Sequence, residues 1–393
     1  MLAVDLAQTY MQENDIDAWL VYDFRGSNPV MWQLLGGPKS TTRRSFLLIP
    51  ARGESRILVH SIDRDLFRDA GLFLQTFVSW QQMQEHLRAA LRGASKVAME
   101  YSPLAALPTL SWVDGGTLEM VRSCGVEVVS SAALFQVALT TWSAAGLESH
   151  LSACQHVAQV KDAAFDYIRQ RLQAQVSPTE YEVQEFIVEE FARRELDMDH
   201  RPIVGVNGNS GNPHYEPQAQ GSALIQQGDW VLIDLWARHP GEQNVFGDIT
   251  WVASASTTIS KQQQHIFSIV KEARDRVVER LRLGWGRGET LQGWELDVVS
   301  RECLEQAGYG DYVVHRTGHS LGPGPRVHAL GVNLDDLETH DTRQVLPGTG
   351  FSVEPGIYLP DFGVRLEINV YMDPEKGPLV TTPPQRQIVR LVG

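Results

Sequence analysis

From Val364 to Asn369 apolar and polar residues alternate without a break. A period of two predicts a strand with Arg365, Glu367 and Asn369 on one face and Val364, Leu366 and Ile368 on the other. Just upstream, Phe351-Ser-Val-Glu354 reads as a second short strand joined to it by a turn, so each strand carries one acid. An acid beside an arginine within core-like sequence needs partners, because an unpaired buried charge is costly. A buried ion pair would satisfy this segment alone; three further segments upstream share its character.

The same reading predicts two domains. Over 1–142, strands at Ala18–Tyr22, Ser45–Ile49, Ser55–Val59, Lys96–Glu100 and Val126–Val129 alternate with helical patterns, and Pro50-Ala51-Arg52-Gly53 turns the second of them into the third. The small polar stretch Thr140 to Gly146 marks the boundary. A long amphipathic helix over Glu148–Gln173 follows, with Leu151, Cys154, Val157, Ala164 and Ile168 on its apolar face. Ser177-Pro178-Thr179-Glu180 reads as a capping box opening a second helix to about Arg194. Helices over Lys261–Leu283 and Gly293–Ala307 come later, among strand-rich segments. Helices grouped around antiparallel strands give an α+β domain over 148–393, not a doubly wound sheet.

Two of the strands each place one acid in an apolar run: Trp230-Val-Leu-Ile-Asp234-Leu-Trp236 and Val245-Phe-Gly-Asp248-Ile-Thr250-Trp251. The loop Ala237–Asn244 would fold one back on the other and let Asp234 and Asp248 face one point. Further on, His315, His319 and His328 cluster among glycines that permit close backbone approach, and His214 sits on a separate Pro/Gly loop. Four carboxylates and an imidazole would repel or protonate without cations. Two divalent ions resolve this, and oxygen-rich ligation with one nitrogen suits Mn(II), with Co(II) or Zn(II) as alternatives. Such paired ions, about 3.5–4 Å apart, activate water for attack on a carbonyl or phosphoryl centre. Spacing does not choose between the two.

Composition removes other classes. The 393 residues are 43% hydrophobic with a formal charge of −14, which argues against nucleic acid and anionic membrane as partners. No apolar run approaches a membrane span, and the N-terminus lacks a secretion signal. Three scattered cysteines suggest thiols in a reducing cytoplasm.

The order Asp, Asp, His, Glu, Glu, within VLIDLW, GDITW, HRTGHSLG, SVEPGIY and GVRLE, resembles the pita-bread metallopeptidases over roughly residues 148 to 372. That group holds Xaa-Pro dipeptidases (prolidases), aminopeptidases P and methionine aminopeptidases. The added N-terminal α/β domain is similar to the creatinase/prolidase branch. The resemblance implies that Asp234 chelates one metal, Asp248 and Glu367 bridge both, and His319 and Glu354 complete the spheres, with Glu354 also shuttling a proton. It implies substrate contacts for His214, His328, His315, Tyr358 and Arg365, the first two also assisting catalysis. It implies hydrolysis of the bond before proline in short peptides, most simply Xaa-Pro dipeptides, by a cytoplasmic homodimer. Aminopeptidase P action on longer peptides is the rival reading; a proline-releasing carboxypeptidase-like variant, a metal-free creatinase-like hydrolase and a non-catalytic binding protein are further alternatives. Trp236 stands where relatives usually have Gly, and Ile368 where an Asp is common. Pro323-Gly-Pro-Arg326 forms an extra loop, expected to aim Arg326 at a substrate carboxylate.

Overall fold

The computed structural model of the chain describes residues 2–37 and 39–392, so the outer bounds expected for the two domains, at Met1 and Gly393, lie outside the described residues. Two compact units meet in the chain between Thr141 and Trp142. Trp142 belongs with the second unit: its backbone N–H donates to Gly348 O at 2.7 Å and its indole N–H to Leu321 O at 3.1 Å.

The first unit is built on a six-stranded mixed sheet, in the order Phe73–Phe77, Arg56–His60, Arg44–Pro50, Ala18–Phe24, Lys96–Met99, Glu127–Ser130. Arg44–Pro50 and Arg56–His60 pair antiparallel, as the turn at Pro50 requires. The edge strand Phe73–Phe77 has no counterpart among the strands expected from sequence. Only Phe77 of its five residues is buried, which leaves no alternation to detect.

In the second unit, two four-stranded sheets are each backed by two helices. The first runs Val389–Arg390, Gly247–Ser254, Trp230–Ala237, Ile203–Val206. Its rear face, with Val231, Ile233, Leu235, Ile249 and Ala253, packs on Val157, Val160, Ala164 and Ile168 of helix Ala144–Gln173 and on Val183, Ile187 and Phe191 of helix Glu180–Arg193. The second runs Ser320–Leu321, Gly350–Val353, Ile368–Asp373, Gly377–Val380. There Phe351, Val353, Ile368, Val370 and Met372 pack on Val277, Val278 and Leu281 of helix Lys261–Gly286 and on Leu296 of helix Gly293–Gln306. Each core side chain of this kind contributes about 1.5–3 kcal/mol by leaving water.

Three expectations are corrected. The first long helix starts at Ala144, capped by Ser143, and Leu151 on it is 41% exposed, because its position falls outside the stripe that meets the sheet. The capping box of the next helix is Thr179 with Glu182, which leaves Pro178 outside the helix. Val364–Asn369 is not one strand: Gly363–Arg365 pairs with Gly356–Tyr358, and Ile368–Asp373 pairs with Gly350–Val353. Leu366 and Glu367 carry the chain from one sheet to the other, and both are buried.

Candidate metal centre

Strand parity assembles the site. Trp230–Ala237 and Gly247–Ser254 are antiparallel, with Asp234 opposite Thr250 and Trp236 opposite Asp248. The rear-facing residues fill the helix-backed core, so Asp234, Trp236, Asp248 and Thr250 share the front face. On the other sheet Ser352 alternates with the core residues Phe351 and Val353 and pairs with Asn369. Glu354 follows two residues after Ser352.

These faces bring the expected ligands together. Donor atoms of Asp248, His319 and Glu367, all buried, lie within 4.8 Å of one another and can hold a metal ion. His319 Nε2 is 3.4 Å from Asp248 Oδ2 and 3.4 Å from Glu354 Oε1. Asp234 joins through Thr250, whose hydroxyl lies 2.9 Å from Asp234 Oδ1 and 2.9 Å from Glu367 Oε2. One hydroxyl proton serves only one of these at a time, while its oxygen accepts from Arg365 Nε at 3.0 Å. Arg365 also forms an ion pair with Asp234 and donates to Tyr358 Oη at 3.1 Å, and Tyr358 meets His315 Nε2 at 2.6 Å. Ser352 Oγ accepts from His319 N and donates to Glu354 Oε1, each at 2.9 Å.

The donor set fits divalent cations. Asp248 Oδ1 and Glu367 Oε1 are buried and have no hydrogen-bond partner among the described residues; such atoms normally have one. Burial pushes Asp248 up to about 7 against its hydrogen bond with His319, and burial together with the charges of Asp248, Glu354 and Asp234 holds Glu367 well above the usual carboxylate range. Asp234 is raised by burial in spite of Arg365. Burial acts on Glu354 in the same direction, but His319, His315 and Arg365 outweigh it and keep Glu354 low. A cluster that holds protons for lack of positive charge releases them to a cation.

The remaining expected residues divide. His315 is half-buried and Tyr358 buried against Arg365. His328 is exposed, its ring centroid 3.9 Å from that of His319. His214 is exposed too, next to Pro213, whose carbonyl accepts from Arg365 Nη1 at 3.4 Å. Arg326 departs from expectation: it is exposed and points Nη1 at His200 Nε2, 3.5 Å away, and no contact joins it to the five candidate ligands among the described residues. Its neighbour Val327 is anchored instead, with its N–H donating to Asp199 Oδ2 at 3.1 Å. Sequence reasoning missed Thr250 and Ser352, and it placed Asn369 on the face of Glu367 without a role; Asn369 Oδ1 accepts from Asp248 N at 2.9 Å. Each stands two residues from a candidate ligand, and a polar residue at that spacing in a core-like strand is the signal that could have found them.

The chain is 33% identical over 166 residues to the Xaa-Pro dipeptidase of Lactobacillus helveticus, covering 42% of this chain and 40% of that protein. It spans about half the length of the curated relatives it matches. Dipeptidase PepE from Mycobacterium ulcerans superposes with a TM-score of 0.72 at 22% identity, covering 100% of this chain and 97% of that one. The prolidase from Pyrococcus horikoshii OT3 does so with a TM-score of 0.64 at 21% identity over 98% and 99%. The pita-bread fold expected from sequence is the fold these proteins share with the chain. The profile of metallopeptidase family M24 matches residues 152–374, more than half of the chain, and it is to this family that the chain belongs.

Proposed function

We propose that the chain is a dinuclear metal-dependent peptidase that hydrolyses the bond preceding proline, with Xaa-Pro dipeptides as substrates. The observation that carries this reading is the meeting of Asp234, Asp248, His319, Glu354 and Glu367 in one buried cluster with unsatisfied carboxylate oxygens. In this reading Asp234, Asp248, His319, Glu354 and Glu367 would hold the two cations; Mn(II) suits the donors, and Co(II) or Zn(II) fit as well. Bound there, the cations supply a nucleophile from water at neutral pH and polarise the peptide carbonyl. Glu354, kept ionised and oriented by Ser352 Oγ, takes the proton and passes it to the leaving nitrogen. His328 and His214 lie at the exposed edge, where they contact the substrate and its developing oxyanion. Arg365, Tyr358 and the half-buried His315 form a hydrogen-bonded chain beside Asp234. A cytoplasmic homodimer belongs to the same reading, and sedimentation tests the subunit number.

The deciding experiment is hydrolysis of Ala-Pro, Ala-Pro-Ala and a longer Xaa-Pro peptide, with Mn(II) and after chelation. Cleavage of the dipeptide alone, lost on chelation, is the expected result. Preference for the longer peptides with release of the first residue would assign an aminopeptidase P, and no cleavage with any metal would remove the proline assignment.

A further inference from the structure

Trp236 lies at the edge of a core cluster that includes Val245, Phe246, Leu321 and Val327, half-buried, and the metal chemistry gives it no role. On its strand face it follows Trp230 and Leu232, both closed into the core, and Asp234. Trp236 itself is half-buried, so the row opens to solvent there. Its cross-strand partner is Asp248, and facing residues in antiparallel strands have Cβ atoms about 4.5–5.5 Å apart. The indole therefore stands beside the candidate metal centre, at its open end.

It is also held in place. Trp236 Nε1 donates to Asp199 Oδ1 at 2.7 Å, and Asp199 Oδ2 accepts from Val327 N, the residue before His328. The Asp199 side chain is only 6% exposed, with His200 Nδ1 3.4 Å from it. One carboxylate thus ties the indole to the loop that presents His328.

Charge gives the orientation of a bound peptide. At the Trp236 end stands Arg326, exposed, with its Nη1 at His200 and no carboxylate partner among the described residues. At the other end Arg365 is buried and engaged by Asp234, Tyr358 and Thr250. A free terminal carboxylate is attracted to the first end and finds no spare cation at the second. We infer that Trp236, positioned by Asp199, walls the subsite for the residue on the carboxyl side of the scissile bond and sets its specificity. This rests on the peptidase reading above. A pyrrolidine ring is compact, apolar and, once acylated, without an N–H donor, and packs well on an aromatic face.

The test compares wild type with Trp236→Ala, Trp236→Phe and Asp199→Asn on two dipeptide series. One varies the first residue (Gly-Pro, Ala-Pro, Leu-Pro), the other the second (Ala-Pro, Ala-Ala, Ala-Leu). Trp236→Ala is expected to lower kcat/KM for every Xaa-Pro dipeptide by a common factor of about 10–100, chiefly through KM. Ala-Ala and Ala-Leu fall less, so the preference at the second residue collapses. Trp236→Phe and Asp199→Asn give intermediate losses. Saturation-transfer NMR on metal-free protein, where Ala-Pro is not consumed, is expected to show pyrrolidine protons in contact with the wild type and a weaker contact in Trp236→Phe. A change that follows the first residue, or an equal fall across both series, would overturn the assignment. A wild type without preference for proline would sink the proline reading alone, since the second series and the NMR contact still decide what the indole touches.

Discussion

Glu100 in the first unit offers a prediction independent of any metal. It is fully buried and accepts three hydrogen bonds: from Trp19 Nε1 at 2.6 Å and Ser131 Oγ at 3.0 Å on Oε1, and from Asn28 Nδ2 at 2.9 Å on Oε2. All three donors favour the charged form, but burial outweighs them and pushes the carboxyl from 4.5 to about 7. Below pH 4.5 the group is protonated in both folded and unfolded chains. Between 4.5 and 7 the unfolded chain ionises while the folded one keeps its proton, so stability falls; above 7 it levels off. At about 1.4 kcal/mol per pH unit the loss is on the order of 3 kcal/mol. In Glu100→Gln the amide nitrogen faces Asn28 Nδ2, which cannot turn away cheaply because it also donates to Tyr22 O while Asn28 Oδ1 accepts from Val30 N. That mismatch costs about 1–3 kcal/mol at every pH. Urea unfolding from pH 4.5 to 8 should therefore show the variant less stable in acid, with the gap closing by pH 7 and above. The Trp19 indole N–H resonance should titrate near 7 in the wild type and stay flat in the variant. Parallel stability curves, or an indole midpoint near 4.5, would refute the reasoning.

Three other outcomes are expected. Thr250→Val removes the hydroxyl that links Asp234, Glu367 and Arg365, and calorimetric titration should show divalent-metal affinity reduced by about 10–100-fold with the fold intact. Glu180 is buried and accepts from Val206 N, Asn209 Nδ2, Tyr215 Oη and Ala223 N. Glu180→Ala leaves those donors without it and should loosen the segment bearing His214, costing about 1–3 kcal/mol and creating a cleavage site between 207 and 223 in limited proteolysis. A Cβ at Gly318 would lie 2.1 Å from Ser352 O; Gly318→Ala should separate the two strands beside His319 and lower the melting temperature by several degrees or more.

The candidate ligands were legible because each acid interrupts a core-like run, as Asp234 does in VLIDLW and Glu367 in VRLEIN. Their partners were less so. Thr250 matters through a register that places it opposite Asp234, and register depends on the partner strand rather than on local sequence. Asp199 lies on a loop whose importance comes from Trp236 and Val327, both distant in sequence. The alternation in Val364–Asn369 gave the right faces and hid the break at Leu366–Glu367, because a chain that passes between two sheets without reversing its faces keeps the period of one strand. Arg326 was placed by the stiffness expected of Pro323 to Pro325, and a stiff loop does not say where a long exposed side chain turns.

The hairpin formed by Trp230–Ala237 and Gly247–Ser254 has a consequence for how such a chain can change length. One residue added within either strand would send its acids into the helix-backed core and its valines and isoleucines into the site. Residues added at the exposed turn over 240–243 disturb neither face. Insertions and deletions are confined to that tip, so homologous chains can differ freely in the distance between Asp234 and Asp248 while keeping both in place. An alignment of such chains should anchor on the two strands and treat the distance between them as uninformative.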